Sequence, residues 1–256
     1  MIKERRFELI NTEIRKRGVV SIDELTDKLK ISRSTIRRDI FELETQNMLK
    51  RVRGGAVGLP SSQGGPSEPP FLVRQDLFYA EKQRIAEAAH SLVCSNETLI
   101  LDSGTTIHEF SKTLGNVDPL YVATNDLKSA MEIAQFPNID LMVLGGTLRK
   151  KHYSLHGYFT DNMITQIHAD KVFLGADAID FNLGLMNFST DEMQSKKRMI
   201  KASSQVIVLC DHSKFEQIAF VNICTFDDIN VLITGKEISD ESLKKLQNYN
   251  IKVITV

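Results

Sequence analysis

The sequence predicts an α/β protein in which a small, mainly helical N-terminal domain precedes a larger domain built on a mostly parallel β-sheet. Residues 1–57 carry 14 Lys and Arg against 9 Asp and Glu, although the whole 256-residue chain has a net charge of −1. Residues 58–70 hold four of the six prolines, which is typical of a linker. Beyond them, residues 71–93 carry a helical pattern, and strand-like runs then alternate with amphipathic segments, which favours parallel strands covered by helices. We therefore expect domains at 1–57 and 71–256, joined by a linker at 58–70.

The composition limits the class of protein. Hydrophobic residues make up 42% of the chain and charged residues 25%, as in ordinary folded proteins. The first residues are too charged for a signal peptide, and no run approaches the ~18 apolar residues of a membrane span. We expect a cytoplasmic protein that makes no contact with a membrane.

Metal and disulfide chemistry is not expected. Three widely spaced cysteines, Cys94, Cys210 and Cys224, predict buried free thiols rather than a disulfide or zinc cluster. His152 and His156 are four residues apart and could share a helix face as metal ligands, but no carboxylate is near them in a Lys-rich segment. We therefore expect neither a metal nor a cofactor.

The basic N-terminal domain is predicted to contain three short helices. The first ends at Gly18, and Ser21 with Glu24 has the spacing of a capping box that opens the second. Ser32 is the expected cap of the third, whose core face carries Ile36, Ile40 and Leu43. Left mainly to solvent on that helix are Arg33, Thr35, Arg37 and Arg38, flanked by Ser34.

The order of these elements favours DNA binding. A cationic third helix after a tight turn is the part of a helix-turn-helix that enters the major groove, where arginine reads guanine edges. Residues 49–57 then predict a two-stranded wing with a glycine turn and a basic tip. The alternative, a solvated charged helix followed by a hairpin, explains the charges but not this order of elements.

Two motifs in this domain resemble a known family. The run Ser34-Thr35-Ile36-Arg37-Arg38-Asp39, followed by Arg53-Gly54-Gly55-Ala56, is similar to the signature of the DeoR family of bacterial winged-helix transcription regulators. The resemblance implies that this domain binds operator DNA. The implied contacts are Arg33, Ser34, Thr35, Arg37, Arg38, Arg51 and Arg53.

Seven strand-like runs are predicted in the second domain. In such sheets, ligands collect beyond the carboxyl ends of the strands. The runs are Thr98–Leu101, Leu120–Ala123, Asp140–Leu144, Lys171–Leu174, Gln205–Leu209, Asn230–Ile233 and Lys252–Thr255.

Small or polar residues follow five of these runs. The turn 102–106, before a helical pattern, predicts a phosphate or carboxylate cradle, with an ordinary capped turn as the alternative. Taken together, the five ends predict one pocket suited to a phosphorylated polyol, with a lysine for the phosphate and Asn and Asp side chains for hydroxyls. The strand-end residues are Asp102, Ser103, Gly104, Thr105, Thr106, Thr124, Asn125, Asp126, Gly145, Gly146, Gly175, Ala176, Asp177, Asp211, His212, Ser213 and Lys214.

The family resemblance extends over this domain, which is similar to the family's effector-sensing domain and, in fold, to ribose-5-phosphate isomerase. It implies that 103–106 and the pair Asp211 and Lys214 hold a phosphate. The isomerase's paired aspartates match Asp177 and Asp180, and its catalytic glutamate matches Glu192. Its lysine-containing loop is replaced here by 182–185, which has no lysine. Glu192 either accepts a hydroxyl in the pocket or pairs with Lys196 on the surface of a helix.

These observations predict a transcriptional repressor of a carbohydrate-utilisation operon, modulated by a phosphorylated sugar or amino sugar. Its expected partners are double-stranded operator DNA, the effector and further copies of itself in a homodimer or homotetramer. The alternative is a sugar-phosphate isomerase that carries a DNA-binding domain. The missing lysine favours binding without catalysis.

Overall fold

A computed structural model of the chain describes residues 2–17, 19–45, 48–52, 54–58 and 68–256. The chain divides into two compact units, Met1–Leu77 and Phe78–Val256, and each is described by itself.

The first unit begins with the three predicted helices. The capping box is confirmed: Glu24 N donates to Ser21 Oγ at 3.1 Å, and Ser21 N donates to the Glu24 carboxylate at 3.0 Å. Ser32 caps the third helix, because its Oγ accepts from Thr35 N at 3.3 Å. The elements are α1 (Lys3–Arg17), β1 (Val19–Ser21), α2 (Ile22–Leu29), α3 (Arg33–Thr45), β2 (Leu49–Val52), β3 (Gly55–Gly58) and α4 (Phe71–Asp76).

The predicted wing is the hairpin of β2 and β3, and β1 adds a third antiparallel strand in the order β1-β3-β2. A Cβ on Gly55 would lie 2.1 Å from the Val20 carbonyl oxygen, so only glycine allows this approach of β3 to β1. The core beneath contains Ile10, Leu25 and Ile36 with other apolar residues of the three helices. The predicted inward face of α3 is confirmed.

All seven predicted strands of the second unit form its central sheet, and every pairing within that sheet is parallel. Their order is β15-β14-β12-β9-β4-β5-β6. The strands are β4 (Thr98–Leu101), β5 (Leu120–Thr124), β6 (Ile139–Val143), β9 (Ala169–Gly175), β12 (Ser203–Leu209), β14 (Val231–Thr234) and β15 (Lys252–Thr255).

Both faces of the sheet are packed. Ile100 and Val172 belong to a buried cluster on one face, whereas Leu99 and Phe173 belong to a cluster on the other. This alternation follows from the two-residue period of a strand and explains the nearly continuous apolar runs in the sequence. The covering helices are α5 (Tyr79–His90), α6 (Thr105–Ser111), α7 (Leu127–Ile133), α8 (Tyr158–Ile164), α9 (Thr190–Lys201) and α10 (Asp240–Leu246).

Small antiparallel elements lie outside the central sheet, and the sequence patterns did not predict them. One is a hairpin of three-residue strands, and the other is a three-stranded sheet in the order β10-β11-β13. These runs are too short to show a clear period. The strands are β7 (Thr147–Arg149), β8 (Ser154–His156), β10 (Ala178–Asp180), β11 (Gly184–Asn187) and β13 (Val221–Cys224).

Two expectations were wrong. The single helical pattern expected over 71–93 is two helices, α4 and α5, because Phe78 takes a left-handed backbone conformation with φ of 54°. Cys94 is exposed, whereas Cys210 and Cys224 are buried as expected; all three are free thiols. Within the described residues, no helix combines the length and apolar character that crossing a membrane requires.

Candidate functional site

Helix α3 carries five of the seven predicted DNA contacts. Arg37 and Arg38 are exposed, and among the described residues neither has a hydrogen bond or an ion pair. Ser34 and Thr35 share hydrogen bonds with Ser32 Oγ at 3.0 and 2.9 Å. The two arginines are therefore the members of this set most available to a polyanion.

The remaining predicted cations differ in their surroundings. Arg33 forms an ion pair of 2.6 Å with Asp23, but both side chains are more than 60% exposed, so the pair is weak. Arg51 on the wing is bound to Glu44 of α3 and lies over the Phe41 ring at 4.9 Å. Burial opposes ionisation of Glu44, but the hydrogen bonds from Arg51 outweigh it and lower the pKa of Glu44. Arg53 lies outside the described residues.

The position of α3 is set by a buried ion pair. Arg6 of α1 donates from Nε and from a terminal nitrogen to the two oxygens of Asp39, at 2.6 and 2.8 Å. Asp39 is 1% exposed. This two-point contact fixes α3 against α1 and explains why an acidic residue follows the arginines of the cationic helix.

In the second unit, register places the predicted strand ends at one edge of the sheet. Leu101 pairs with Thr124 and with Phe173, and Leu209 pairs with Gly175. Because the strands are parallel, the loops that follow them leave the sheet on the same side.

A buried ion pair lies at the centre of this edge. Lys196 of α9 contacts the Asp102 carboxylate, which also accepts from Gly175 N at 2.9 Å. Lys196 in turn donates to the Gly175 carbonyl oxygen at 3.0 Å. Burial disfavours the ammonium form, but Asp102 and the nearby carboxylates Glu192 and Asp177 offset this and raise the pKa of Lys196. The Asp102 carboxylate therefore joins β4, β9 and α9.

Glu192 does not pair with Lys196 on the surface of a helix. Its carboxylate accepts from Arg149 at 2.5 Å and from Asn187 Nδ2 at 2.5 Å, and the residue is only 5% exposed. Glu192 and Lys196 both lie inside the cluster because the face of α9 that carries them points toward the sheet.

The predicted cradle 102–106 is a turn at the start of α6. Gly104 has φ of +134°, a conformation that favours glycine. Gly104 N donates to Asp126 at 3.2 Å, and Asp126 also accepts from Lys128 N at 2.8 Å as the cap of α7. Burial raises the pKa of Asp126 to about 6 despite these hydrogen bonds. Ser103 and Gly104 are partly exposed, while Thr105 and Thr106 are buried.

Thr124 and Asn125 are fully buried. Thr124 Oγ1 accepts from Asp126 N at 3.1 Å, and Asn125 Nδ2 donates to the Leu155 carbonyl oxygen at 3.1 Å. Asn125 thus attaches the β7–β8 hairpin to the end of β5. Asn125 Oδ1 is buried and has no hydrogen-bond partner among the described residues.

The adjacent glycines allow helix α8 to approach. Thr160 Oγ1 donates to the Gly145 carbonyl oxygen at 2.7 Å, and a Cβ on Gly146 would lie 2.1 Å from the same hydroxyl. Gly146 therefore has a packing role that the sequence alone did not reveal, whereas a Cβ on Gly145 would meet nothing within 4 Å.

The two predicted aspartates after β9 shape the turns around β11. Asp177 accepts from Phe188 N at 3.2 Å. Asp180 accepts from Asn182 N at 2.8 Å and from Leu183 N at 2.9 Å, which closes the turn between β10 and β11.

The segment after β12 forms a separate group. Asp211 accepts from Ser213 N at 3.0 Å, and burial of its carboxylate is outweighed by Lys214 and Lys82, which lower its pKa. Lys214 is partly exposed and has no hydrogen bond or ion pair among the described residues. The described contacts connect this group with Glu81 through His212 at 2.7 Å, not with Asp102.

One group of possible metal ligands occurs here: Glu81, Asp211 and His212 have ligand atoms within 4.8 Å of one another. The positive charges of Lys214 and Lys82 already act on the buried Asp211 carboxylate and lower its pKa. This arrangement suits an ion-pair network better than a divalent cation.

Two described cavities lie elsewhere. One of about 770 Å³ includes Lys197, Arg198 and Lys201, and one of about 410 Å³ lies along β5 and β6. Neither is lined by a predicted effector contact. We therefore base the candidate site on strand-end register and on unpartnered polar groups rather than on cavity size.

Sequence reasoning missed Lys196, Arg149 and Asn187 as parts of the cluster. The Glu192–Lys196 spacing was a visible signal, but it was equally compatible with a surface pair. Nothing local in the sequence indicates that Arg149 reaches α9.

Comparison with known proteins gives matches over both units. A family model described as "DeoR-like helix-turn-helix domain" matches residues 6–62, and one described as "DeoR C terminal sensor domain" matches residues 77–236. The chain is 34% identical to the HTH-type transcriptional regulator GolR of Listeria innocua, over 91% of each chain. It is 32% identical to a putative aga operon transcriptional repressor of Escherichia coli, over 99% of this chain and 93% of that protein.

A third relative is the glycerol-3-phosphate regulon repressor of Escherichia coli, which is 31% identical over 94% of each chain. Among solved structures, ribose 5 phosphate isomerase A from Neisseria gonorrhoeae is 20% identical over 58% of this chain and 56% of that chain, with a TM-score of 0.41.

Proposed function

Because the chain belongs to the DeoR family of transcriptional regulators, we propose that it represses a carbohydrate-utilisation operon and responds to a phosphorylated sugar. The observation that carries this proposal is the pair of family matches, a DNA-binding domain followed by a sensor domain on one chain. We assign DNA binding to 1–57, the linker to 58–70, and effector binding with self-association to 71–256. Residues 59–67 of that linker lie outside the described part of the chain.

Helix α3 is the proposed recognition element. Arg37 and Arg38 are exposed cations without partners among the described residues, and they follow Ser34 and Thr35 on the first half of the helix. Arginine at such positions reads guanine or binds backbone phosphates. We include Arg33, Arg51 and Arg53 as contacts around this centre, with Arg51 released from Glu44 on binding.

The proposed effector site is the carboxyl edge of the central sheet. Lys214 and the turn 103–106 supply the positive charge and backbone amides that suit a phosphate. The remaining proposed contacts suit the hydroxyls of a sugar or the amine of an amino sugar, because they are carboxylates, a hydroxyl, an amide or glycine backbone. They are Asp102, Thr124, Asn125, Gly145, Gly146, Asp177 and Glu192.

We propose that the protein acts as a homodimer or homotetramer on operator DNA in the bacterial cytoplasm. A single winged helix covers one half-site, and two copies read a two-fold symmetric operator. Effector binding changes the affinity for the operator only if the conformation that binds DNA and the one that does not differ in their affinity for the effector.

The relatives are named as regulators, and we propose that this chain likewise binds sugar phosphate without turning it over. Phe181, Asn182 and Leu183 form the loop between β10 and β11, which contains no lysine to assist an isomerisation. Conversion of an aldose phosphate to a ketose phosphate by the purified chain would contradict this.

The experiment is an operator-binding titration. Operator fragments are first selected from random-sequence DNA with the full chain, and their affinity is then measured with and without a panel of sugar phosphates. We expect at least one phosphate ester to change the affinity by about tenfold, a coupling of ordinary size for an allosteric regulator. Selection of no preferred DNA sequence, or no response to any ester, would contradict the proposal.

A further inference from the structure

Three side chains from separate elements meet near the strand-end cluster: Arg149 at the end of β7, Asn187 at the end of β11 and Glu192 in the first turn of α9. Both Arg149 and Asn187 Nδ2 donate to the Glu192 carboxylate at 2.5 Å. The Arg149 side chain is 20% exposed and that of Glu192 only 6%. The guanidinium is therefore the member of the group that faces solvent.

The group also contains a buried polar atom, the Asn187 amide oxygen, that no described residue satisfies. Asn187 is 1% exposed, and its Oδ1 has no hydrogen-bond partner among the described residues. A buried amide oxygen without a donor costs free energy, so the arrangement suits a ligand that brings a hydrogen-bond donor.

The backbone around the group is held in place. Leu155 N donates to the Asn125 carbonyl oxygen at 2.8 Å, and Leu127 N donates to the Tyr153 carbonyl oxygen at 2.9 Å, which attaches the β7–β8 hairpin to the end of β5. Asp177 accepts from Phe188 N beside Asn187. A ligand can thus engage the group beside the Arg149 guanidinium while the hairpin backbone stays in position.

We propose that Arg149, Glu192 and Asn187 form a subsite that selects an uncharged hydroxyl over an amine on the effector's carbon chain. The inference rests on the proposed function and names the substrate class of the same site: a neutral polyhydroxyl phosphate ester. A hydroxyl donates to Glu192 or Asn187 Oδ1 and accepts from Arg149, so it satisfies all three groups. An ammonium group only donates: the Glu192 and Asp177 carboxylates attract it, but the adjacent guanidinium repels it and is left without an acceptor.

Arg149 is the residue that decides this preference. Without the guanidinium, the subsite presents a carboxylate and an amide oxygen, which are two acceptors suited to an ammonium group. Removal of the cation is therefore expected to reverse the selectivity rather than simply to weaken binding.

The test uses the full chain and two matched pairs of probes: glucose 6-phosphate with glucosamine 6-phosphate, and galactose 6-phosphate with galactosamine 6-phosphate. Affinities are measured by calorimetry for the wild type, for Arg149→Met and for Arg149→Lys, which keeps the charge. In at least one pair we expect the wild type to bind the hydroxyl ester about tenfold more tightly than the amino ester. Arg149→Lys is expected to keep this preference for the hydroxyl ester. Arg149→Met is expected to bind the amino ester more tightly. Arg149→Gln, which is neutral but still donates, replaces Arg149→Met if that variant does not fold.

Binding of inorganic phosphate distinguishes the hydroxyl subsite from the proposed effector site as a whole. Phosphate has no carbon chain, so its affinity depends on Lys214 and the turn 103–106 alone. Arg149→Met is expected to bind it as the wild type does. If the wild type binds phosphate and both members of each pair equally, or if the neutral variants keep the wild-type preference, the hydroxyl subsite is refuted while effector binding stands. If no phosphate compound binds, both proposals fail.

Discussion

At the scale of single residues, Asp102 and Lys196 show how a strand-end side chain can stabilise the site instead of contacting a ligand directly. They are 94 positions apart in sequence, and their side chains are 1% and 3% exposed. Asp102 also accepts from Gly175 N, and Lys196 also donates to the Gly175 carbonyl oxygen. Asp102 stays a predicted effector residue, but its carboxylate already joins two strands and a helix.

Replacement of Lys196 with methionine is expected to lower the free energy of unfolding by about 3–5 kcal/mol, because it leaves the Asp102 carboxylate buried without its cation. Urea denaturation of both proteins measures this difference. The double variant Asp102→Asn with Lys196→Met is the control and is expected to recover part of the loss. If Lys196→Met is as stable as the wild type, the Asp102–Lys196 pair is not buried in solution.

His156 gives the fold a dependence on pH. It is 5% exposed, and its Nε2 shares a hydrogen bond of 2.7 Å with Ser154 Oγ. Burial, aided by Lys196 and Arg149 and opposed by Asp102, lowers the pKa of His156 to about 4. As the pH falls from about 6.5 toward 4, the unfolded chain takes up this proton first, so stability is lost over that window.

The variant His156→Gln, which can keep the bond to Ser154, is expected to be less sensitive to acid. Between about pH 7.5 and about pH 5, the wild type should lose about 2 kcal/mol more of its unfolding free energy than the variant. Denaturation at the two pH values gives the difference. His108, whose pKa burial also lowers to about 4, and Asp126, whose pKa is raised, contribute to both proteins and cancel in the comparison. If the wild type and His156→Gln lose equal amounts of unfolding free energy, His156 is exposed to solvent.

At the scale of elements, α3 and the wing divide their cations into free and paired ones. Arg37 and Arg38 on α3 have no partner among the described residues, whereas Arg51 on β2 is bound to Glu44. The Arg6–Asp39 pair fixes the helix that presents the free cations. A charged helix that is only solvated would not need a buried ion pair to fix its position. The Arg6–Asp39 pair therefore favours a role of α3 in recognising a defined surface of a partner.

Replacement of Arg37 with alanine is expected to weaken operator binding by about 1–3 kcal/mol if it contacts a base, or to reduce the salt slope by about 1 if it contacts a phosphate. Affinity is measured at several salt concentrations with the selected operator. Arg5→Ala is the control, because Arg5 is also an exposed arginine, placed on α1 and paired with Glu8. If both variants behave alike, α3 is not the recognition helix.

At the scale of the whole molecule, two units carry two separable sets of charges. The first supplies unpaired arginines on a helix, and the second supplies Lys214 and a turn at the carboxyl edge of a parallel sheet. A regulator built in this way should lose its response to the effector and its affinity for the operator through different substitutions.

Lys214→Ala is expected to weaken binding of the effector phosphate by about tenfold, the value of one charge-assisted contact, while operator affinity in its absence stays unchanged. Arg38→Ala is expected to weaken operator binding while the affinity for the effector stays unchanged. Calorimetry with the sugar phosphate and operator titration give the two readouts. Lys252→Ala, an exposed lysine at the opposite end of a strand, serves as the control. If either variant loses affinity for both the effector and the operator, the two functions are not carried by separate sets of charges.

Most of the secondary structure was predictable because its signals are local. All seven runs chosen for apolar, strand-forming residues became strands of the central sheet, and the predicted caps Ser21 and Ser32 cap their helices. Strands of three residues, such as β7 and β8, were not predictable, since so short a run has no measurable period. The left-handed Phe78 was missed because local propensity favours a continuous helix there.

By itself, then, the sequence determined the two-domain order, the parallel sheet and the edge at which its polar residues collect, because hydrophobic period, caps and linker composition are properties of neighbouring residues. Only the tertiary structure decided that Lys196 pairs with Asp102, that Arg149 reaches Glu192 from a hairpin, and that Arg51 is held by Glu44. These pairings depend on which side chains the fold removes from water together. A buried charge requires a partner in space, and sequence spacing alone does not identify it.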